Sequence, residues 1–195
     1  IKTATKADLR RLAGITGEAF HDDPVSRWIF GDPRALAPMF RILADAIYLQ
    51  HNMCHVAGDD AATMWCMSEA NRNLSTLNML RFIATVLPKA SRGTLKRATD
   101  VGETMAREHP RDPHIYLFTI GTRQTARGKG FGKAMLAPVL EAADRAGLPA
   151  YLENSNPVNH SFYAAHGFER MQIFACDGKD GPALEAMWRK PKPIH

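Results

Sequence analysis

The pattern of apolar and polar residues along the chain follows two different periods. Short runs rich in β-branched and aromatic residues indicate strands, whereas apolar residues spaced three and four apart indicate helices. Strands are predicted over residues 1–4, 53–57, 61–67, 115–120, 151–153, 173–176 and 183–188, and helices over residues 5–20, 35–50, 73–108 (broken near Pro88 and at Gly93 or Gly102) and 131–146. This mixture predicts one α+β domain over residues 1–195, built on a mixed, mostly antiparallel sheet.

The stretch from His114 to Gly147 has the clearest organisation. An apolar strand, Ile115–Ile120, leads into the basic turn Arg127–Lys133, in which every second position from 128 to 132 is glycine. The helix that follows is predicted to bury one face, and Gly147 stands where a left-handed residue commonly ends a helix. The predicted buried face contains Phe131, Met135, Val139, Ala142 and Ala146.

The turn has the chemistry of a phosphate-binding site. The first backbone N–H groups of a helix have no helical acceptor, and the helix dipole adds partial positive charge at the same end. Glycine lets the backbone approach a phosphate closely, and Arg127, Lys129 and Lys133 add further positive charge. A P-loop does not fit, because it needs glycine where Arg127 stands and a hydroxyl where Ala134 stands. The dinucleotide fingerprint fails as well, since its last glycine would fall on a lysine or a methionine.

Two motifs resemble those of a known family. Arg127, Gly130 and Gly132 fill the pattern Arg-x-x-Gly-x-Gly, which resembles the pyrophosphate-binding signature of the Gcn5-related N-acetyltransferase (GNAT) superfamily. Further along, the strand Tyr151–Glu153 is followed by an Asn-rich turn and by the segment Asn159–Glu169. That segment contains a Phe-Tyr pair and a Gly-Phe pair in the order typical of the same superfamily.

The resemblance covers residues 114–174 and implies a fold. Members have a three-layer α/β/α arrangement, so a central sheet of about six to seven strands is expected, flanked by helices. The sheet is expected to splay between the strand at 114–122 and the strand at 150–154. Within the superfamily, Ala146–Asn154 and Phe20–Pro24 resemble the puromycin N-acetyltransferase-like branch.

The resemblance also implies that the cofactor is acetyl-coenzyme A. Its pyrophosphate would lie at the glycine-rich turn, a backbone N–H of the preceding strand would polarise the acetyl carbonyl, and asparagine side chains would bind the amides of the pantetheine arm. For each asparagine, a purely local turn bond is an equal alternative. The expected cofactor-binding residues are Ile120, Gly121, Thr122, Arg127, Gly128, Lys129, Gly130, Phe131, Gly132, Lys133, Asn156 and Asn159.

Two residues are predicted to be catalytic. Tyr163 holds the position of the superfamily's general acid; a tyrosine stays protonated at neutral pH because its unperturbed pKa is ~10. The alternative is a buried core tyrosine. Glu153 ends the strand beside the expected crevice and is the candidate base, although a structural partnership with Arg127 or Lys129 explains a carboxylate there equally well.

Residues of the first third of the chain are candidates for acceptor binding, because the cofactor motifs use the second half. His21, Asp22 and Asp23 form an acidic loop that would attract a cationic amine, and Trp28 and Trp65 are candidates for the pocket wall. The alternatives are helix termination with surface charge for the loop, and core packing for the tryptophans.

Composition limits the remaining possibilities. The net charge of +5 is dispersed along the chain without the aromatic-interleaved basic stripe of a nucleic-acid binder, so no nucleic-acid partner is expected. No apolar run is long enough for a membrane span, so no membrane partner is expected either. Three cysteines without metal-ligand spacing predict no metal site and a reducing, cytoplasmic location. A monomer or a homodimer is expected.

The sequence leaves three functions open. The first is an acetyl-coenzyme A-dependent N-acetyltransferase acting on a primary amine of a small molecule, by direct attack in a ternary complex. The second is an acetyltransferase of the same fold acting on a protein or peptide amine. The third is a coenzyme A-binding sensor without turnover, against which an intact turn and an intact Tyr163 argue.

Overall fold

The computed structural model describes residues 1–193 as one sheet between two layers of helices. The strands are β1 (Lys2–Thr3), β2 (His55–Ala57), β3 (Ala61–Met67), β4 (Ile115–Thr122), β5 (Ala150–Asn154), β6 (Glu169–Ala175) and β7 (Ala183–Arg189). The helices are α1 (Leu9–Ala19), α2 (Pro24–Phe30), α3 (Leu36–Leu43), α4 (Thr76–Thr85), α5 (Thr94–Glu108), α6 (Phe131–Ala146) and α7 (His160–Ala165).

The predicted α+β class and the mixed, splayed sheet are confirmed. The seven strands lie in the order β1-β2-β3-β4-β5-β7-β6, and β4 and β5 are parallel whereas the other neighbours are antiparallel. One buried cluster joins the sheet to helices α1 to α5, and a second joins its other face to α6 and α7. The three layers follow from these two clusters.

The splay begins after the third pair between β4 and β5. Leu117 pairs with Leu152, and from Phe118 and Glu153 onward the two parallel strands have no paired residues. A β-bulge lies at the same point, because Met64 and Trp65 of β3 pair with Thr119 and Leu117 and leave Phe118 as the extra residue. Bulges commonly redirect a strand beside a functional site. The bulge was not predicted from the sequence.

The predicted helices agree with the structure in part. The region over 73–108 is broken near Pro88, where Leu87–Lys89 form a 3₁₀ turn, and at Gly93, as the sequence indicated, whereas Gly102 lies inside α5. Residues 24–30 form an unpredicted helix, because the Asp23 carboxylate accepts a hydrogen bond from Ser26 N at 2.8 Å and Pro24 suits the first helical position. The region predicted as a helix over 35–50 is helical throughout, as α3 followed by a π turn and a 3₁₀ turn.

The buried face of α6 is also shifted from the predicted one. Met135 and Val139 are buried as expected, but Ala142 and Ala146 are exposed, and Leu136, Leu140 and Ala143 take their place. Pro138 lies inside the helix, where its missing N–H removes one helical bond. Gly147 adopts the predicted left-handed cap, with φ of 66°.

A buried ion pair ties α6 to the last strand. Both guanidinium NH₂ groups of Arg189 donate to Asp144 at 2.7 Å, and its Nε donates to the carbonyl of His166 at 3.1 Å. Lys192 N donates to Asp144 as well, at 2.8 Å. The hydrogen bonds from Arg189 hold the pKa of Asp144 below its ordinary value. Arg189 is only 3% exposed, so it relies on this partner.

We expect Asp144→Asn to lower the free energy of unfolding by about 3 kcal/mol, because it leaves the buried Arg189 guanidinium without its counter-charge. Thermal unfolding measures this. Asp100→Asn, which breaks the exposed pair between Asp100 and Lys96 on α5, is the matched control and should shift the melting temperature little.

The Asp144 effect should depend on pH in one direction. Because the folded-state pKa of Asp144 is lowered, its stabilisation is full at neutral pH and is lost as the pH falls through that lowered pKa. The gap between wild type and Asp144→Asn should therefore narrow in acid. An equal gap at every pH would contradict this role.

Candidate active site

A crevice of about 1520 Å³ opens where β4 and β5 separate. Ile120, Gly121 and Thr122 form part of its wall, as predicted for the strand before the turn. It extends through the splayed sheet, since both the glycine-rich turn on the α6 side and helices α2 to α5 on the other side line it. A ligand in this crevice would contact both helical layers.

The glycine-rich turn delivers the chain into α6 as the sequence predicted. Gly128 and Gly130 have φ of 76° and 82°, a backbone region that favours glycine. The first turn of α6 closes when Ala134 N donates to the carbonyl of Gly130 at 3.1 Å. The N–H groups of residues 131–133 therefore have no helical acceptor. The crevice is lined here by Arg127, Gly128, Gly130, Phe131, Gly132 and Lys133, whereas Lys129 does not line it.

Gly132 is constrained by the protein itself. A Cβ atom at Gly132 would lie 2.9 Å from the ring of Phe162, whereas a Cβ atom at Gly128 or Gly130 would meet nothing within 4 Å. Gly132 thus lets α6 pack against the Phe-Tyr pair of α7. The sequence motif assigned all three glycines to the ligand, and the contact with Phe162 was not predicted.

Tyr163 lies at the crevice wall and is 8% exposed. Burial raises the pKa of its hydroxyl, and the Asp23 carboxylate raises that pKa further. Its ring packs with Phe168 and Phe162, so it is a core tyrosine and a crevice tyrosine at once. The two alternatives from the sequence are therefore compatible.

Glu153 is the first residue of β5 beyond the last pair with β4, and it lines the crevice. Its side chain is 2% exposed, and neither carboxylate oxygen has a hydrogen-bond partner among the described residues. The nearest basic nitrogen is Nδ1 of His109, 3.5 Å from Oε1. The alternative partners suggested by the sequence, Arg127 and Lys129, do not contact it.

A cluster of buried polar and aromatic side chains surrounds Glu153. His114 Nδ1 donates to the carbonyl of Asp112 at 2.7 Å, and His114 Nε2 lies 3.1 Å from Nε2 of His109. The negative charge of Glu153 contributes to the raised pKa of Tyr116 and Tyr151, after burial, and burial lowers the pKa of His114. These residues have no sequence motif. Only the fold brings them together.

The acidic loop before α2 lies only partly at the crevice. Asp22 and Asp23 line it, but His21 is exposed and does not. Asp23 caps α2 and accepts a hydrogen bond from the hydroxyl of Ser155, so its carboxylate joins this loop to the end of β5. Asp22 is exposed beside His21 and Arg27.

The two tryptophans do not line the crevice, which corrects their predicted place in the pocket wall. Trp65 is fully buried in the cluster between the sheet and α6, because its position in β3 faces that layer. Trp28 packs against the other cluster, under the guanidinium of Arg97 at 5.8 Å. The aromatic residues that line the crevice include instead Phe20, Phe40, Tyr48, Tyr116 and Phe118.

Asn156 and Asn159 line the crevice as predicted. The Asn156 side chain accepts a hydrogen bond from Val158 N at 3.2 Å, which is the local turn bond of the alternative. A neighbouring residue, Asn154, was not predicted: its amide donates to the buried Glu185 at 3.0 Å. Among residues 1–193, no group of three or more His, Cys, Asp or Glu side chains is arranged for a metal, and no helix is long and apolar enough to cross a membrane.

Residues 93–168 match the model of the acetyltransferase (GNAT) family. That match contains the strand, the turn, α6 and the Phe-Tyr pair. The chain therefore contains a GNAT acetyltransferase domain. Proteins of this family use acetyl-coenzyme A as a co-substrate. The finer resemblance to the puromycin N-acetyltransferase-like branch stays a prediction.

Similarity to relatives extends over nearly the whole chain. An uncharacterized N-acetyltransferase of Schizosaccharomyces pombe is 24% identical over 208 residues, covering 98% of this chain and 83% of the relative. The crystal structure of a histone acetyltransferase HPA2-related acetyltransferase from Corynebacterium glutamicum has a TM-score of 0.68 at 23% identity, covering 98% of this chain and 96% of that one. Arylalkylamine N-acetyltransferase 2 of Aedes aegypti has a TM-score of 0.65 at 11% identity, covering 98% of both chains.

In this GNAT domain, Gly132→Ala should destabilise the fold by about 1–3 kcal/mol, because the new methyl group overlaps the ring of Phe162. At a helical position with open space the same change would stabilise the fold by about 1 kcal/mol. A lower melting temperature therefore indicates the clash with Phe162, and a higher one indicates open space. Adding Phe162→Leu should restore part of the loss. Gly128→Ala, whose cost is backbone strain alone, should not be rescued by Phe162→Leu.

Proposed function

We propose that this chain is an acetyl-coenzyme A-dependent N-acetyltransferase that acetylates a primary amine of a small molecule. The observation that carries the proposal is the crevice between β4 and β5, which has a phosphate-binding turn at one end and the buried Glu153 at the other. The unpaired N–H groups at the start of α6, with Arg127 and Lys133 beside them, fit a pyrophosphate. The separated strands leave room for an extended arm.

A small acceptor is supported by the enclosure of the crevice. Helices α2, α3, α4 and α5 all contribute to its wall, which suits a compact ligand better than an extended peptide. Solved structures with the same fold include an arylalkylamine N-acetyltransferase and an agmatine N-acetyltransferase, each 11% identical to this chain. Those proteins are named for small amine substrates, which is consistent with this choice.

Acetyl transfer to an amine makes three demands on the protein. The carbonyl must be polarised, the attacking amine must lose a proton, and negative charge must be stabilised on the departing sulfur. Beyond Leu117 the crevice side of β4 has no strand partner, so its backbone N–H groups around Ile120–Thr122 are candidates for the first task. Glu153 is the candidate for the second and Tyr163 for the third.

Glu153 has the environment of a base. Its two carboxylate oxygens make no hydrogen bond among the described residues, so they are available to accept a proton from the amine. Tyr163, in contrast, is better suited to keep its proton. Complete loss of its proton would leave a buried phenolate near Asp23, so we infer that it stabilises the developing thiolate chiefly by donating a hydrogen bond.

The test of the function is thiol release from acetyl-coenzyme A in the presence of a panel of amines, with mass spectrometry of the acetylated product. The proposal is supported if thiol release requires the acceptor amine and if the amount of thiol equals the amount of acetylated product. Tight coenzyme A binding with no release for any acceptor would favour the sensor, and acetylation confined to protein or peptide amines would favour the second alternative.

We expect Tyr163→Phe to lower kcat by roughly 10²- to 10⁴-fold while acetyl-coenzyme A affinity stays near wild type. The ring and its packing are kept, so the melting temperature should change little. Steady-state kinetics, calorimetry and a thermal melt measure the three quantities. A kcat within a few-fold of wild type would remove Tyr163 from catalysis and leave it a core residue.

We expect Glu153→Gln to separate activity from stability. The change keeps the shape of the side chain and removes a buried, unpaired carboxylate, so the melting temperature should stay equal or rise. Turnover at neutral pH should fall by about 10²-fold or more. Raising the pH should recover activity in this variant, because the free amine then needs no base. Loss of activity without recovery at high pH would argue for a purely structural role.

A further inference from the structure

Arg72 lies in the wall of the crevice, on the same side of the sheet as Glu153. Its guanidinium stacks over the ring of Tyr116, 4.8 Å from the ring centroid. No carboxylate of the described residues lies within 4.0 Å of it, and its one nitrogen or oxygen hydrogen-bond partner among them is Nε2 of His109, at 3.0 Å. Arginine has five N–H donors, so most of its donors lack a protein acceptor in this part of the chain.

Arg72 and Glu153 are opposite charges that do not neutralise each other. His109 separates them, with Nε2 beside Arg72 and Nδ1 beside Glu153. The guanidinium and the carboxylate therefore stand on opposite sides of one imidazole ring. Glu153 is nine-tenths or more buried and unpartnered among the described residues. Buried charges are normally paired, so a ligand that carries both signs would suit this arrangement.

Resting on the function proposed above, we propose that the acceptor is a free α-amino acid with an apolar side chain, held by its carboxylate at Arg72 and by its amino group at Glu153. An α-amino acid has its ammonium group and its carboxylate on the same carbon atom. This arrangement suits Arg72 and Glu153, which are separated by the imidazole ring of His109. Arginine is the side chain best shaped for a carboxylate, because its planar fork donates two parallel hydrogen bonds.

The remaining wall supports an apolar side chain on the acceptor. Tyr48 and Phe118 stack with ring centroids 4.5 Å apart, and Phe40 contacts Phe118 edge-on at 6.4 Å. Phe20 extends the same row, 5.3 Å from Phe40. These rings lie next to Tyr116, whose ring stacks with Arg72. An amino acid bound between Arg72 and Glu153 would therefore place its side chain against them.

The reaction balances with the groups named. The thioester C–S bond breaks and an amide N–C bond forms. Of the two protons that the ammonium group loses, one passes to Glu153 and is then released, and the other ends on the thiol sulfur. The product keeps its carboxylate, so Arg72 holds substrate and product alike and contributes mainly to binding.

The wild-type enzyme provides the first test, with matched acceptor pairs that differ only in the carboxylate. The kcat/KM for thiol release is measured for three pairs: phenylalanine and 2-phenylethylamine, tyrosine and tyramine, and leucine and 3-methylbutylamine. We expect each amino acid to exceed its amine by about 10²-fold or more, because the amine leaves Arg72 unpaired. Equal or better activity with the amines would overturn the proposal while leaving the acetyltransferase function intact. No release with any acceptor would count against the function itself.

A variant provides the second test. Arg72→Gln should raise KM for the amino acids by about 10- to 100-fold and change the amines by less than about 3-fold. Arg81→Gln is the matched control: Arg81 lies on α4 outside the crevice and pairs with Asp45 at 3.1 Å, so both acceptor classes should be unaffected. Arg72→Lys, which keeps the charge without the fork, should fall between wild type and Arg72→Gln. An equal loss for amino acids and amines in Arg72→Gln would overturn the assignment of the carboxylate site.

Discussion

The separation of β4 and β5 after Leu117 and Leu152 is the constraint on which the rest of the structure depends. Parallel strands normally continue to pair because unpaired backbone groups are costly to bury. Here the pairing stops in mid-strand, and the bulge at Phe118 turns β4 at the same point. The resulting gap gives access to strand backbone without exposing a sheet edge at the perimeter. The glycine-rich turn proposed to bind phosphate and Glu153, the proposed base, both line the crevice that this gap opens.

The sheet also separates two kinds of chemistry. Side chains alternate along a strand, so Leu152 faces the layer of α6 and α7 while Glu153 faces the layer of α1 to α5. Tyr163 belongs to the first layer and Arg72, His109 and Glu153 line the crevice on the second. Groups proposed to serve the thioester and groups proposed to serve the amine are thus held by different cores. A change in one core can alter acceptor choice and leave the cofactor end unchanged.

Local signals predicted much of this fold and only part of the candidate site. The turn, the start of α6 and the Gly147 cap follow from residues adjacent in sequence, and the structure has them where the pattern placed them. The loop that follows the first predicted helix also begins α2 at Asp23 and Pro24, because capping residues and proline are common at both kinds of helix boundary. Trp65 is in the core, which was one of its two alternatives, and both stayed open because sequence gives no indication of which sheet layer a strand residue faces. Arg72 and His109 come from separate segments joined only by tertiary packing, so no spacing could reveal them.

The position of β7 has a consequence for how the molecule is made. Residues 183–189 lie between β5 and β6, although they follow both in the chain. While the polypeptide is being synthesised, β6 has no neighbour to pair with, and β5 has only its three pairs with β4. The half of the sheet that carries Glu153 can therefore close only once residues up to 189 have left the ribosome. Until then one backbone edge of β5 has no strand partner, and an unpaired strand edge in a nascent chain is prone to pair with other chains.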